Sequence, residues 1–299
     1  METASYTGRF APSPSGSLHF GSLVAAVASY LQARTNQGRW LVRMEDLDHP
    51  RTVPGAADSI LTTLEAFGFE WDSSVMYQSQ RNEAYAAALE TLQAKQLIYP
   101  CSCSRKEIAD SAIHGIDGLV YPGTCCHGLP PGKTARAWRI RTQSAVITFD
   151  DAIQGSISQD LARDIGDFVL KRADGLFAYQ LAVVIDDETQ GINHIVRGAD
   201  LLDSTPRQIY LQHQLGYLSP RYAHIPVATN LQGEKLSKQT LALALNRGDA
   251  SRELWQALDF LGQQPPPTLA NAPITELWEW SFVRWDINRI PKVRSQPSQ

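Results

Sequence analysis

The sequence predicts an α/β fold built on a parallel sheet, and three stretches predict it. A short strand at residues 8–11 leads through the loop 12–16 into an alanine-rich helix whose apolar positions run over 23–31. The run "RWLVRM" at 39–44 is apolar and branched enough for a second, buried strand. Further on, "DFVLKRADGLFAYQLAVVIDD" followed by "HIVRGADLL" returns to an alternating α/β layout. A strand–helix–strand crossover is right-handed and parallel. It therefore brings the 12–16 loop and the carboxylates Glu45, Asp46 and Asp48 to one carboxyl edge, where open α/β sheets bind ligands.

Each element has a local reason. Gly16 and Gly21 let the backbone approach a bound group, and Ser17 or Ser22 is the expected cap of the first helix. The first turn of that helix offers unpaired N–H groups and the positive end of a dipole, so a phosphate beside His19 is stabilised there. Residues 56–67 and 82–96 carry helical periodicity, with Gly68 a stop for the first. Residues 101–131 are rich in Gly, Pro, Ser and Cys and read as an insertion held by something other than a core. "AWRIRT" and "AVITF" predict strands. Beyond Lys238 a helical stretch runs to Leu261, and a proline break at 265–267 precedes a tryptophan-rich tail.

Composition narrows the class. With 299 residues and 19% charged residues the chain has the makings of a globular protein of more than one structural unit. A net charge of −4 excludes a uniformly basic nucleic-acid coat but leaves local patches such as Arg136, Arg139 and Arg141. The first residues lack the layout of a secretory signal, and the longest apolar run is too short to span a bilayer, so a cytoplasmic protein with no membrane contact is expected. In a reducing compartment the four cysteines, all within 101–126, suit metal ligation better than a disulfide framework. Cys101 and Cys103 are followed after a Gly-rich loop by Tyr121, Cys125, Cys126 and His127; spacing alone leaves the fourth ligand open, and free buried thiols are the alternative.

Two short motifs lie far apart: "LHFG" at 18–21 and "KLSKQ" at 235–239. Together they resemble the HIGH and KMSKS elements of class I aminoacyl-tRNA synthetases. With "GRFAPSPSG", "VRMEDLD", "DFVLKRADGLFAYQLAVVIDD" and "VRGADLLDSTPRQ", the chain resembles the glutamyl-tRNA synthetase catalytic core. Over nearly its whole length it is most similar to the shortened branch of that family, the glutamyl-Q tRNA(Asp) synthetases.

The resemblance implies a Rossmann-like catalytic core split into 1–98 and 167–240, an acceptor-type subdomain with a zinc knob inserted at 99–166, and a helical region at 241–299. It implies activation of L-glutamate by ATP with Mg2+, in which a carboxylate attacks the α-phosphate and positioning and electrostatics do most of the work. The catalytic residues carried over are His19, Lys235 and Lys238, and the ATP contacts are Pro12, Gly16, His19, Gly21, Ser22, Lys235, Ser237 and Lys238. Ser22 stands where the motif has its second histidine. Arg9 and Arg197 suit the glutamate side-chain carboxylate, and Glu45 its ammonium. Phe10, Ala11, Pro12, Ser13 and Tyr179 line the same pocket, whereas Val183 replaces an asparagine that full-length relatives carry. A purely structural ion pair between Arg9 and Glu45 is the competing account of those two residues. For the knob the resemblance selects Cys101, Cys103, Tyr121 and Cys125 around one structural Zn2+.

The printed sequence continues about sixty residues past Lys238, and the resemblance implies no anticodon-binding domain. The expected partner is then the queuosine-containing anticodon loop of tRNA(Asp), whose unstacked bases are the usual targets of RNA readers. The basic tail "RWDINRIPKVRSQ" is expected either to hold phosphates or to be a plain solvated segment, and a monomer is expected. The alternatives are a glutamyl-tRNA synthetase core that needs a separate anticodon-binding part, and a catalytically silent RNA-binding paralogue.

Overall fold

A computed structural model describes residues 5–109, 113–115, 118–143, 145–230, 232–236 and 243–298. β1 (Thr7–Phe10) and β2 (Arg39–Met44) pair in parallel, with Arg9 opposite Leu41, and α1 (Phe20–Thr35) connects them. Alanines and leucine favour that helix, but no serine caps it. His19 takes the N-cap position with an extended backbone, and its Nδ1 accepts the Ser22 N–H at 3.3 Å. An imidazole nitrogen can accept as a hydroxyl does, and Ser22 is already the third helical residue.

After α1, α2 (Ala56–Ala66) ends at a Phe67 cap ahead of Gly68, β3 (Met76–Tyr77) extends the sheet in parallel beside β2, and α3 (Asn82–Ala94) follows. Then come β4 (Ile98–Cys101), the short α4 (Arg105–Ala109), the ribbon β5 (Ile113–Gly115) with β6 (Gly118–Val120), and β7 (Ala137–Ile140). β8 (Val146–Asp151), β9 (Gly155–Asp160), the single turn α5 (Leu161–Asp164) and β10 (Val169–Lys171) complete the middle. The second α/β half is α6 (Tyr179–Thr189), β11 (His194–Gly198), α7 (Thr205–Leu215), β12 (Arg221–Ile225) and β13 (Val227–Thr229).

Strand pairing crosses the boundaries drawn from the sequence. β10, expected to resume the core, joins β7 and β4 in an antiparallel sheet, whereas β8 and β9 join the later sheet in the order β11-β12-β8-β9. A one-dimensional reading sees the strands but not their partners. The two halves meet at β1 and β11, where the Asn193 N–H donates to Thr7 O at 3.1 Å.

The C-terminal region departs from expectation in two ways. Residues 243–246 are not helical: Leu245 N–H bonds to Leu18 O at 3.0 Å, and α8 (Ala250–Phe260) begins only after a short 3-10 turn. From the end of α9 (Ile274–Arg284) the basic tail keeps Arg284, Arg289, Lys292 and Arg294 exposed but is not a plain loose segment. Its residues form β14 (Ser295–Pro297), parallel to β13, while Ile290 is buried and Arg294 pairs with Asp203 at 3.4 Å. α9 packs against α1 and α8: the Trp278 indole donates to Phe67 O at 2.9 Å and packs edge-on against Tyr30 and Phe69. Behind these lies Trp40, fully buried, its indole donating to Ser29 Oγ. Among the described residues no helix is long and apolar enough to cross a membrane.

Two carboxylates on α6 bind the halves together. Asp187 accepts from Arg43 at 2.8 Å and from Arg9 at 3.2 Å, and Asp186 accepts from Tyr85, Gln78 and Arg81 at 2.7, 2.9 and 3.1 Å. Arg43 is fully buried in β2. Removing one member of such a buried set leaves a charge uncompensated. Asp187→Ala is therefore expected to cost about 3–5 kcal/mol in urea unfolding, far more than a surface Asp→Ala change; a loss below about 1 kcal/mol would show that the arginines find other partners.

Candidate active site

The carboxyl ends of β1 and β2 open onto two cavities. The larger, about 520 Å3, is lined by the helix start (His19, Gly21, Ser22), by Lys235 and by Asp200. The smaller, about 300 Å3, holds Glu45, Asp48, Arg172 and Tyr179. Ser13, Ser15 and Arg51 line both. The cavities are thus neighbours across the loop that follows β1. That loop is fixed from below: Glu45 N–H donates to Pro12 O and Val53 N–H to Pro14 O. Gly16 turns it at φ 137°, where side chains are strained, and stands off both walls.

The phosphate-type features sit together. At Gly21 a Cβ would lie 3.3 Å from the His19 ring and 3.7 Å from Leu236 O, so the glycine lets helix start, imidazole and late loop close up. Leu236 N–H bonds to Ala228 O at 2.8 Å, and Ala244 bridges to His19, so both flanks of residues 237–242 are fixed beside the helix start. Lys235 Nζ meets Asp200 Oδ2 at 2.5 Å. Ser237 and Lys238 lie outside the described residues.

Of the predicted glutamate contacts, Phe10, Ala11 and Pro12 line the larger cavity, Glu45 and Tyr179 the smaller, and Ser13 both. Arg9 and Arg197, 3% and 5% exposed, stand behind the walls. The direct Arg9–Glu45 pair considered above is replaced by a chain, in which Arg9 bonds to Asp187, Asp187 to Arg43, and Arg43 to Glu45 at 3.3 Å. Burial raises Glu45 above the usual carboxylate range even with Arg43 and Arg9 beside it. Burial also opposes ionisation of Asp187, but there the two arginines win and its pKa is lowered. Val183, one turn beyond Tyr179, is in the apolar core. Of the carboxylates after β2, Asp46 accepts the Ser79 N–H and Oγ–H and holds the approach to α3, while Asp48 pairs with Arg51 at 2.7 Å.

Arg197 is positioned from three sides. Its Nη2 donates to Thr205 Oγ1 and Gln208 Oε1, both at 2.8 Å, and its Nε to His224 Nε2 at 3.0 Å. Its Nη1 is buried and has no hydrogen-bond partner among the described residues. Tyr179, on the wall of the smaller cavity, feels the charge of Arg197. His224 in turn faces Asp151 Oδ2 through Nδ1 at 2.6 Å. The lone histidine of "YAHIPV" is a signal the sequence reading did not use, and Asp151 carries none.

Cys101, Cys103 and Cys125 bring their sulfurs within 4.8 Å of one another. Tyr121 Oη lies 3.4 Å from Cys101 Sγ and 3.5 Å from Cys103 Sγ, and the Cys103 and Cys125 sulfurs are 3.6 Å apart. Four donors around a tetrahedral ion with bonds of ~2.0–2.3 Å stand roughly 3.5–3.8 Å apart, so this set fits such an ion. Cys126 and His127 are outside the cluster. Burial would raise the Cys125 thiol, but hydrogen bonds led by the Ser102 backbone N–H bring it down to about 7, toward the thiolate a metal needs. Arg139 and Arg141, expected as a surface patch, are used here. Arg139 lies over the Tyr121 ring at 3.8 Å and donates to Cys101 Sγ, and Arg141 donates to Cys126 O. Arg136 remains exposed.

Residues 6–116 and 132–264 match the family described as tRNA synthetases class I (E and Q), catalytic domain. The chain belongs to this family. It is a ligase-type enzyme. Its relatives include the glutamyl-Q tRNA(Asp) synthetases of Dechloromonas aromatica, 63% identical over 289 residues and 96% of each chain, and Chromobacterium violaceum, 58% identical over 291 residues and 97% of each. A crystal structure of glutamate-tRNA synthetase from Elizabethkingia anophelis superposes with a TM-score of 0.77 at 22% identity, over 98% of this chain and 68% of that one. Within this class I core, Asp187, Arg43, His224 and Asp151 are the residues that sequence reasoning did not single out.

His224 gives the site an acid limit. Burial is the largest cause that lowers its pKa from 6.5 to about 4; the Asp151 hydrogen bond opposes this and the Arg197 charge adds to it. The unfolded chain then binds a proton that the folded chain refuses, so stability is intact above pH 6.5 and falls as the pH drops toward 4. The expected loss is about 1.4 kcal/mol per pH unit in that window, read by urea unfolding at a series of pH values. His224→Gln should flatten the slope, and an unchanged slope would place the titrating group elsewhere.

Proposed function

We propose that this enzyme activates L-glutamate with ATP, without tRNA, and transfers it to the queuosine base in the anticodon loop of tRNA(Asp). The reading rests on one observation above all: a cavity at a helix N-terminus with a lysine opposite, adjoining across Ser13, Ser15 and Arg51 a second cavity that carries Glu45 and Tyr179. A triphosphate suits the first, because helix N–H groups and an ammonium both favour anions. An amino acid suits the second, where Glu45 meets an ammonium and a buried guanidinium meets a carboxylate.

In this reading the α-carboxylate of glutamate attacks the α-phosphorus of Mg2+-bound ATP. The bond to the pyrophosphate oxygen breaks, and glutamyl-adenylate and pyrophosphate result. His19 donates to the phosphates from the helix start, Lys235 leaves Asp200 for them, and Lys238 joins them. Arg197 takes the side-chain carboxylate and Arg9 supports it. A hydroxyl of the cyclopentene ring of queuosine then attacks the activated carbonyl, and AMP leaves. The names of the relatives support this substrate. Cys101, Cys103, Tyr121 and Cys125 would hold a structural Zn2+, which ties a segment too small to keep a core of its own.

Glutamate-dependent exchange of labelled pyrophosphate into ATP, without RNA, tests the first step. Transfer of labelled glutamate to queuosine-containing tRNA(Asp) and not to tRNA(Glu) tests the second; charging of tRNA(Glu) instead would favour the conventional synthetase. Lys238→Ala is expected to slow exchange by on the order of tenfold to a hundredfold with the KM for glutamate little changed, and an unaltered rate would remove that lysine from the mechanism. Chelation should release a single metal ion per chain and open residues 101–131 to proteolysis; a metal-free chain with that segment fully protected would exclude the knob.

A further inference from the structure

We infer that Asp151 and His224 are positioning residues for the amino-acid seat: they fix one imidazole tautomer whose Nε2 lone pair holds Arg197 so that its Nη1 is presented to the glutamate side-chain carboxylate. The inference rests on the reading of Arg197 as that carboxylate's partner and adds what makes it one.

The hydrogen-bond partners leave one arrangement. A guanidinium only donates and a carboxylate only accepts. Arg197 Nε points at His224 Nε2 at 3.0 Å, so Nε2 carries the lone pair; Asp151 Oδ2 faces Nδ1 at 2.6 Å, so Nδ1 carries the proton. The Thr205 hydroxyl, 3.1 Å from Nε2, reaches the same lone pair. Asp151 is itself locked, its Oδ1 accepting the N–H groups of Ile153, Gln154 and His224 at 3.0, 2.9 and 3.0 Å. All of this is buried, with Asp151 4%, His224 0% and Arg197 5% exposed. A rigid fork of donors held on Nε and Nη2 leaves only Nη1 uncommitted among the described residues, in a setting where an unpaired guanidinium nitrogen is costly. A bound carboxylate removes that cost.

The pairing also explains the placement of two strands. Asp151 ends β8 and His224 lies in β12, and the two strands pair at Tyr222 and Asp151. The segment at 146–160, read from the sequence as part of the insertion, thus supplies the anchor of the amino-acid seat.

Asp151→Asn tests the inference. Its amide oxygen can keep the backbone N–H groups, while its NH2 donates to Nδ1 and forces the proton onto Nε2, donor against donor with Arg197 Nε. In glutamate-dependent pyrophosphate exchange this variant should raise the KM for glutamate about tenfold, the scale of one hydrogen bond to a charged group, with kcat and the KM for ATP within about twofold. Arg197→Ala should raise it more, and Asp151→Asn on that background should add nothing. Should Asp151→Asn not fold, His224→Leu and His224→Gln replace it. Leucine removes the acceptor and should reproduce the tenfold rise, whereas glutamine offers an oxygen to Arg197 and should stay within about threefold of the parent. An unchanged KM in folded Asp151→Asn or His224→Leu, or independent effects in the double variant, overturns the positioning role. An unchanged KM in Arg197→Ala overturns the reading of the seat itself.

Discussion

The architecture depends on a buried charge network between β1, β2 and α6. Two guanidinium groups, one of them wholly without solvent contact, converge on Asp187, and Glu45 is drawn in through Arg43. Taking that much charge out of water is unfavourable, so the network is stable only when every member is in place. It therefore ties the first sheet to the second half of the chain in one register, and both cavities open above it. Asp186, its neighbour in sequence, turns to a separate set of partners on and before α3. Consecutive carboxylates on one helix thus hold two different faces of the core.

The same logic governs the surroundings of Arg197. Low dielectric makes hydrogen bonds there strong and unsatisfied groups expensive. Arg197 is surrounded by acceptors on two of its nitrogens and by none on the third among the described residues, which makes its geometry specific. Glu45, kept above the ordinary carboxylate range by burial, gains from a cation brought to the cavity it lines. The larger cavity is built differently, from a helix start and a lysine that is half exposed.

The cysteine knob follows a third principle. Its small cluster of Tyr99, Cys101, Tyr121 and Cys125 buries too little apolar surface to be stable alone. Arg139 and Arg141 cover its aromatic rings, and the converging sulfurs and phenol suit a metal. Arginines that look available for RNA in a linear reading are spent on this packing.

Much of the site was legible because it is local. The β1 loop, the helix start at His19 and the "RWLVRM" strand are contiguous in sequence, and a parallel crossover has one favoured hand, so Ser13, His19, Gly21 and Glu45 had to meet at one edge. The cysteine cluster was likewise legible as a group, its members lying within 25 residues; spacing left Tyr121 and His127 both open, the resemblance chose Tyr121, and the structure places its phenol beside the sulfurs. The sequence by itself determined the α/β class, the family and the edge where the cavities open, since these follow from periodicity and contiguous motifs. Only the tertiary structure decided that His19 caps its own helix, that Arg9 answers to Asp187, that β8 belongs to the later sheet and that the tail is a strand beside β13. Those are pairings between residues far apart along the chain, chosen by burial and hydrogen-bond complementarity, and no local pattern encodes which distant partner wins.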